Sequence, residues 1–259
     1  MATTLRALYA ALEEKMPRAL SCAWDNDGIM CSSDLDKPVH KILCALDVTD
    51  RIIEEAEEEG CDCIVSHHPL VFHKLPGIDP DAVSGRRIVS LLSKNIAVLS
   101  FHTRLDAAEG GVNDVICESL NIRVTGPFTD TDGDPIGRMA EEETPVNFAS
   151  FCQQVKTALG SPVLHCVSAK KPVKKIAVLG GDGKDDWSAA LAAGADTYLT
   201  GTMSYNGFLD AKASGLNVIA AGHYYTEAPV AKRLAAWIGE RFPDVEVLVS
   251  ETPCEVLTV

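Results

Sequence analysis

The chain lacks the features that mark several large classes of protein. It contains no apolar run of about 18 residues or more, so the sequence predicts no transmembrane helix. The first residues, Met1–Leu5, lead directly into a polar helical pattern without the apolar core of a signal peptide. Positive charge is scarce, because 23 Lys and Arg residues stand against 37 Asp and Glu, a formal net charge of −14. Because that balance repels phosphate backbones and anionic lipids, we expect a protein that binds neither nucleic acid nor membranes. The lack of a membrane span and of a signal peptide predicts a cytoplasmic protein.

The motifs of several familiar redox and catalytic sites are also absent. The nine Cys form no C-x-x-C pair, and their odd number and scattered spacing argue against a disulfide framework or a thiolate metal site. Most lie in apolar runs and are predicted to be small buried side chains: Cys44, Cys61, Cys63, Cys117, Cys152 and Cys166. No G-x-S-x-G nucleophile elbow occurs. The segment Leu179–Lys184 lacks the Ser or Thr that a Walker A loop needs after its Lys, and a tight turn is favoured there over an anion-binding nest.

The remaining pattern is that of an α/β protein. With 259 residues, 46% apolar and 23% charged, the chain has an ordinary globular composition and enough length for two modest domains. Short apolar strands alternate with helices, which predicts two similar α/β domains with mainly parallel, covered sheets. The segments Asp130–Pro135 and Glu141–Pro145 are expected to be the least ordered, so the predicted domains span residues 1–125 and 126–259. The predicted strands are Lys41–Thr49, Cys61–Ser66 and Ile96–Phe101 in the first domain, and Lys175–Leu179, Asp196–Thr200, Leu216–Ala221 and Val245–Ser250 in the second.

Histidines follow three of the predicted strands, and an acidic residue stands four positions after two of them. The groups are His67 and His68, His102 with Asp106, and His223 with Glu227. The carboxyl ends of parallel strands form the crevice in which open α/β sheets bind ligands. Because imidazole and carboxylate without thiolate suit Zn, Mn, Fe or Ni, these groups predict a metal site.

The arrangement of these residues favours two metal ions over one. Adjacent residues in extended backbone point to opposite sides, so His67 and His68 are expected to serve different metals. A carboxylate has two oxygens and can bridge a pair of cations. The predicted ligands are His67, His68, Asp106, His223 and Glu227. Together they leave coordination positions open for water or substrate, as two-metal hydrolysis requires.

Structural explanations stay open for several of these residues. Thr226 can act as a helix N-cap, in which case Glu227 interacts with the helix dipole in the first turn, and Asp106 can begin a helix similarly. The acidic run Glu54–Glu59 is expected to be a solvated helix face and not a cation site. Three other histidines have no partner at ligand spacing and are expected to be structural: His40, His73 and His165.

At these positions the sequence resembles a known family. The matching stretches are Trp24–Gly28, Ala45–Thr49, Ser66–Phe72, His102–Asp106, Gly110–Asp114 and Gly222–Glu227. They occur in the family's order and span nearly the whole chain. The chain therefore resembles the GTP cyclohydrolase I type 2-like family, also called the NIF-three-like (NGG-interacting factor three) family. It resembles the short form, which has no domain inserted between its halves.

The resemblance implies two α/β domains that face a central cleft holding two divalent metals per chain. By motif match the ligands are the same five residues, and His102 is a supporting group or proton carrier beside the metals. The resemblance also implies a toroidal homohexamer. Two positions depart from the family pattern, because Thr202 and Asn206 stand where many relatives have an acidic residue and a His. If those positions contact substrate or move protons, the activity differs from that of these relatives.

Two classes of function follow from these observations. The first is a metal-dependent hydrolase that acts on a nucleotide or another small molecule, since the family name implies hydrolytic ring opening of GTP. The residues themselves show no base-stacking or phosphate-binding signature, so the substrate rests on the resemblance alone. The second is a non-catalytic metal-binding scaffold or protein-interaction module. An open coordination position distinguishes them, because a catalytic site keeps exchangeable water and a structural site is closed.

Overall fold

The computed structural model describes residues 2–257, which divide into two compact units. The first unit consists of residues 2–105 together with Val230–Cys254. The second consists of Asp106–Pro229 and residues 255–257. Each unit has one β-sheet with helices packed against it, which confirms the predicted α/β class. Among the described residues, no helix combines the length and apolar character that a membrane crossing requires.

Strands and helices alternate along most of the chain. The strands are β1 (Gly28–Cys31), β2 (Lys41–Ala45), β3 (Cys63–Ser66), β4 (Ala97–Ser100), β5 (Arg123–Phe128), β6 (Gly137–Val146), β7 (His165–Val167), β8 (Val173–Leu179), β9 (Thr197–Thr200), β10 (Asn217–Ala220) and β11 (Glu246–Val249). The helices are α1 (Leu5–Lys15), α2 (Asp50–Glu58), α3 (Val83–Ser93), α4 (Thr103–Ala107), α5 (Val112–Ser119), α6 (Phe148–Leu159), α7 (Trp187–Ala192), α8 (Tyr205–Ala213), α9 (His223–Glu227) and α10 (Val230–Arg241). A short 3-10 helix, Arg18–Leu20, follows α1.

Capping residues set the ends of several helices. The Thr49 hydroxyl accepts a hydrogen bond from the Ile52 N–H at 3.3 Å, and α2 begins there. Helix α6 begins after Asn147, whose side chain accepts from the Ala149 N–H at 2.9 Å. It ends at Gly160, which has a left-handed φ of 64° that a residue with a Cβ adopts at a cost. These local signals set the bounds of α6 at Phe148–Leu159.

The sheet of the first unit has five strands in the order β1-β4-β3-β2-β11. Strands β4, β3, β2 and β11 run parallel, and β1 lies antiparallel to β4 at the edge. Every residue of β3 and β4 is buried, as in a sheet covered on both faces. Side chains of α2 and α3, such as Ile52 and Leu91, pack with Leu43, Ile64 and Val98 in the core. Since β3 and β4 are parallel neighbours, the residues that follow them start at the same edge of the sheet.

The sheet of the second unit has six strands in the order β5-β6-β8-β9-β10-β7. Only β8, β9 and β10 are parallel to one another, while β5, β6 and β7 pair in antiparallel fashion. The mainly parallel arrangement predicted for both sheets therefore describes the first, and the second is mixed. Because β8, β9 and β10 are parallel, their carboxyl ends lie at the same edge of the sheet, and the loops after β8 and β10 begin there.

The bounds of the two units differ from the predicted domains at 1–125 and 126–259. Residues 106–125, which include α5, belong to the second unit. The last strand, predicted in the second domain, pairs instead with β2, with Val247 opposite Ile42. Helix α10 also packs against β2 and β11. A pairing between residues so far apart in sequence leaves no local signal, so the strand pattern alone assigned β11 to the wrong half.

Four strands were absent from the sequence prediction: β1, β5, β6 and β7. Strand β6 includes Glu141–Pro145, which was expected to be poorly ordered. The half of β6 that ends at Val146 is largely exposed, so this strand lacks the continuous apolar run of the central strands. Strand β5 lies at the sheet edge, where Pro127 is tolerated because the missing N–H need not join a ladder.

The cysteines behave largely as expected. The described residues include all nine, and no disulfide joins any of them. Four of the predicted side chains are buried: Cys44, Cys61, Cys63 and Cys117. Burial raises the pKa of the Cys61 thiol to about 11 and that of Cys117 to about 12, so both stay protonated. Cys152 is only half-buried and Cys166 is exposed, which corrects the prediction for these two.

The acidic run Glu54–Glu59 on α2 is only in part a solvated face. Glu57 forms an ion pair with Lys94 at 2.6 Å, and Glu59 forms one with Lys41 at 2.9 Å. The carboxylates of Glu57 and Glu59 are therefore partnered by basic side chains of neighbouring elements.

Glu55 joins α2 to the chain that follows β11. Its carboxylate accepts hydrogen bonds from the Ser250 hydroxyl at 2.6 Å, the Glu251 N–H at 2.9 Å and the Thr252 hydroxyl at 2.7 Å. Burial alone raises the pKa of Glu55, but these hydrogen bonds outweigh it and lower the pKa below its ordinary value. The charged form of Glu55 therefore stabilises the fold.

The variant Glu55→Gln is expected to lower the free energy of unfolding by about 1 kcal/mol near neutral pH, because an amide accepts less strongly than a carboxylate. A lowered pKa gives stability that is present above the ordinary Glu pKa and is lost as pH falls through the pKa of the folded protein. Urea unfolding should show a difference at about pH 7 that shrinks as the pH falls below the ordinary pKa of Glu. Glu54→Gln, at an exposed position, is the control and should match wild type. Equal stability of Glu55→Gln and Glu54→Gln at neutral pH would contradict this role.

Candidate metal centre

Three histidines of the first unit lie together at the carboxyl ends of neighbouring strands. His67 and His68 follow β3, and His102 follows β4. Each offers a ring nitrogen within 4.8 Å of those of the other two. The ring centroid of His67 lies 5.0 Å from that of His68, and the His102 centroid lies 5.2 Å and 5.7 Å from the two. We call these three residues the histidine cluster.

Each imidazole of the histidine cluster is oriented through its Nδ1 atom. The Nδ1 of His67 lies 3.1 Å from the Phe101 carbonyl oxygen, and that of His68 lies 2.7 Å from a carboxylate oxygen of Asp47. The Nδ1 of His102 lies 2.9 Å from a carboxylate oxygen of Asp25. In the tautomer in which Nδ1 donates, Nε2 is the atom that coordinates a metal or exchanges a proton. A carbonyl or carboxylate partner of this kind is usual for metal-binding histidines.

Asp25 is held in place more strongly than the other partners. Besides His102, its carboxylate accepts hydrogen bonds from the Thr103 N–H at 2.9 Å and the Thr103 hydroxyl at 2.6 Å. Burial alone raises the pKa of Asp25, but the hydrogen bonds from His102 and Thr103 outweigh it and hold the pKa well below its ordinary value. Asp25 is therefore a charged partner that fixes the His102 ring.

A buried ion-pair network supports the start of α4. Arg104 is fully buried, and its Nε donates to Asp27 at 3.0 Å while Nη1 donates to Glu13 at 2.7 Å. Its guanidinium also lies 4.7 Å from the ring centroid of Phe101. Burial lowers the pKa of Arg104, but hydrogen bonds to Asp27 and other partners outweigh it and raise the pKa. The same Asp27 carboxylate accepts from the backbone N–H of His102 at 3.3 Å, so the network also fixes the backbone of the histidine cluster.

The second unit carries the two predicted carboxylates and the remaining histidine. Asp106 lies on α4, and His223 and Glu227 are the first and last residues of α9. His223 Nε2 lies 2.8 Å from Glu227 Oε2, and Asp106 and Glu227 each place a carboxylate oxygen within 4.8 Å of the other. Asp106 is 8% exposed and Glu227 is 4% exposed. We call these three residues the carboxylate cluster.

The helix-start explanation for Glu227 is wrong. Helix α9 begins at His223 after Gly222, so Glu227 lies at its end and Thr226 is not its N-cap. The Thr226 hydroxyl instead accepts from the Gly181 N–H at 3.1 Å and donates to the His223 carbonyl at 2.8 Å. Asp106 does lie in the first turn of α4, where a carboxylate favours the helix dipole.

The glycine-rich loop after β8 forms a tight turn against the carboxylate cluster. The Gly180 N–H donates to the Asn113 side chain at 2.8 Å, and the Gly181 N–H donates to Thr226. Both N–H groups are therefore engaged within the protein, which favours the turn over the anion-binding nest. Gly181 has a φ of 65°, and a Cβ at this position would overlap the Oε1 of Glu227. Only glycine allows the loop to approach Glu227 this closely.

The two departures from the family pattern lie in different surroundings. The Thr202 hydroxyl donates to the Asp182 carboxylate at 2.5 Å, and Lys184 pairs with the same carboxylate at 2.7 Å. Burial alone raises the pKa of Asp182, but these contacts outweigh it and lower the pKa. Asn206 is exposed on α8. The loop after β8 thus supplies an acidic group next to Thr202, which a sequence comparison of position 202 alone does not show.

Comparison with known proteins identifies the family. The family model described as Duf34/NIF3 (NGG1p interacting factor 3) matches residues 3–254. The chain belongs to this family. This result confirms the resemblance seen in the motifs.

Relatives of the chain match it over nearly its whole length. A GTP cyclohydrolase 1 type 2 homolog of Clostridium perfringens is 36% identical over 254 residues, which cover 95% of this chain and 96% of the relative. The reduced form of HcgD from Methanocaldococcus jannaschii is 27% identical, with a TM-score of 0.83 and coverage of 96% of this chain and 98% of that chain. A Bacillus cereus protein related to NIF3 has a TM-score of 0.89, covering 100% and 99%, and at 21% identity it shows the fold alone.

The donors of the two clusters suit a divalent metal. Imidazole nitrogen and carboxylate oxygen are the ligands that Zn, Mn, Fe and Ni accept. The imidazoles are oriented by carbonyl and carboxylate partners, and the carboxylates of Asp106 and Glu227 are buried close together. Two buried carboxylates repel each other, and a cation or a shared proton offsets that repulsion. The family member described here therefore has clusters that can bind metal.

Proposed function

We propose that this Duf34/NIF3 protein is a metal-dependent hydrolase that binds two divalent ions per chain, drawn from Zn, Fe, Mn or Ni. The proposed ligands are His67, His68, Asp106, His223 and Glu227. The observation that carries the proposal is the pair of clusters, in which oriented imidazoles and buried carboxylates match the donor preference of these metals. Bound divalent ions supply Lewis-acid activation of water and polarise the bond to be cleaved.

His102 is the proposed proton carrier of the reaction. Its Nδ1 contacts the charged carboxylate of Asp25, which holds the ring in one orientation. Nε2 is then the atom that takes up and releases a proton during hydrolysis. Asp25 positions this group through the ring and does not touch the substrate.

The proposed substrate is a nucleotide or another small molecule. Curated relatives that are 36% and 30% identical are called GTP cyclohydrolase 1 type 2 homologs, and this name supports a nucleotide. We also propose a homohexamer, on the family resemblance. The formal net charge of −14 supports the absence of nucleic-acid and membrane partners.

Elemental analysis of the purified protein tests the metal centre. We expect about two metal ions per chain in wild type and a loss of most metal in His68→Ala and in Glu227→Ala, because each variant removes a proposed ligand. His40→Ala and His165→Ala change exposed histidines and should keep the wild-type content. Wild type without metal above background after reconstitution, or ligand variants that keep it, would contradict the proposal.

A non-catalytic metal-binding scaffold is the second candidate function. Asn206 favours it, because an amide cannot carry a proton where many relatives have a His. A panel of nucleotides separates the two candidates. Metal-dependent hydrolysis that disappears in His68→Ala supports the enzyme, and full metal content without any turnover supports the scaffold.

A further inference from the structure

Two aromatic side chains are exposed beside the histidine cluster. Trp24 is 54% exposed and Phe72 is 43% exposed, although both are large apolar rings. Their ring centroids lie 6.1 Å and 5.8 Å from that of His102, and 6.0 Å from each other. Exposed apolar rings next to polar groups that converge on one place are typical of a ligand-binding surface.

The rings meet at steep angles and are not stacked on one another. The indole plane of Trp24 makes 68° with the Phe72 ring and 71° with the His102 ring, and Phe72 makes 85° with His102. Trp24 and Phe72 therefore meet edge to face beside His102, and each keeps a large part of its ring exposed; we call this pair of residues the corner. A planar ring can stack on the exposed part of one of the two rings while its edge meets the other.

The backbone beside both aromatic residues is already held in place. Asp25, which follows Trp24, is bound by Thr103 and His102. Asn26 then donates through its side-chain amide to the carbonyl oxygen of Val71, the residue before Phe72. The corner is thus preorganised, and little conformational entropy is lost when a ring binds there.

We propose that Trp24 and Phe72 form a subsite for a planar conjugated heterocycle of the substrate, of the nucleobase type. The inference rests on the proposed hydrolase function, because it sets the ring of the substrate beside His102. Aromatic side chains bind nucleobases through stacking, which does not require a particular base. The strongly acidic chain attracts phosphate poorly at long range, so we assign the affinity to the ring.

Calorimetric titration with three probes tests the subsite. Guanosine and riboflavin carry a planar ring without phosphate, and ribose 5-phosphate carries phosphate without the ring. We expect wild type to bind at least one of the ring compounds and to bind ribose 5-phosphate more weakly. Trp24→Leu should weaken ring binding by about tenfold or more, while Trp24→Phe should keep most of it. Trp237→Leu is the control, since that indole contacts Lys15 and lies outside the corner.

Several results would overturn the subsite. These are the failure of both ring compounds to bind wild type, equal binding by Trp24→Leu and wild type, and stronger binding of ribose 5-phosphate. Acrylamide quenching of the ligand-free protein adds a further test. If acrylamide does not quench the fluorescence of Trp24, a second copy or another protein covers this residue, and that result would also overturn the subsite. Metal content is measured on the same samples. Wild type without metal contradicts the hydrolase proposal, whereas metal-loaded protein that binds no ring contradicts the subsite alone.

Discussion

Replacing Gly181 by alanine is expected to lower the metal affinity of the protein by about 100-fold. The Cβ of the variant would overlap the Oε1 of Glu227 and lie 3.3 Å from the Nε2 of His223. The backbone of the loop is fixed by the hydrogen bond from the Gly181 N–H to Thr226, so the carboxylate of Glu227 must move. In the proposed centre this movement displaces a ligand, and the affinity falls nearly as far as in Glu227→Ala.

Gly194→Ala is the matched control for this experiment. Gly194 has a φ of 84°, and a Cβ there meets nothing within 4 Å. Both variants therefore carry the strain of a left-handed alanine, about 1 kcal/mol, and only Gly181→Ala also displaces Glu227. Competition with a chelator measures the metal affinity of each. Equal affinities of the two variants would contradict the ligand role of Glu227.

The variant Arg104→Met is expected to lower the free energy of unfolding by about 3–5 kcal/mol. Arg104 and Asp27 are both buried, with no exposed side-chain surface at either partner. Removing the guanidinium leaves the Asp27 carboxylate with fewer hydrogen bonds in a place that water does not reach. The Glu13 carboxylate loses its partner from α4 as well, so the contact between α1 and α4 weakens.

Arg6→Met removes a comparable ion pair from the surface of the same unit. Arg6 and Asp36 pair at 2.8 Å, with 59% and 67% of their side chains exposed. Because solvent screens this pair, the loss is expected to be much smaller than that of Arg104→Met. Urea unfolding followed by circular dichroism compares the two variants. If Arg104→Met and Arg6→Met lowered the free energy of unfolding equally, burial would not decide how strongly the Arg104 network stabilises the protein.

The sequence places the histidines of the site but not the residues that orient them. His67, His68 and His102 follow buried apolar strands, and a local pattern is enough to predict such positions. Their partners Asp25 and Asp47 come from other loops, so the hydrogen bonds to His102 and His68 are not visible in any local pattern. The sequence nevertheless indicates that both acids belong to the site, because Asp25 and Asp47 lie in stretches that match the family.

The same distinction applies to the fold. Six strands are predicted because they are continuous apolar runs that are buried beside parallel strands. They are β2, β3, β4, β8, β9 and β10. Strands β5 and β6 escape prediction because antiparallel pairing leaves much of their surface in water, where polar residues are tolerated. The unit boundary was misplaced because the pairing of β11 with β2 depends on tertiary contacts.

The pairing of β11 with β2 also has a consequence for synthesis of the protein on the ribosome. All of Asp106–Pro229 is translated before Val230–Cys254, so the second unit can begin to fold while the first still lacks α10 and β11. During that interval β2 presents an unpaired edge, which invites association with other nascent chains. A premature stop codon soon after Pro229 makes this edge permanent while leaving the sheet of the second unit complete. Such truncated chains are therefore expected to be aggregation-prone substrates for chaperones and proteases.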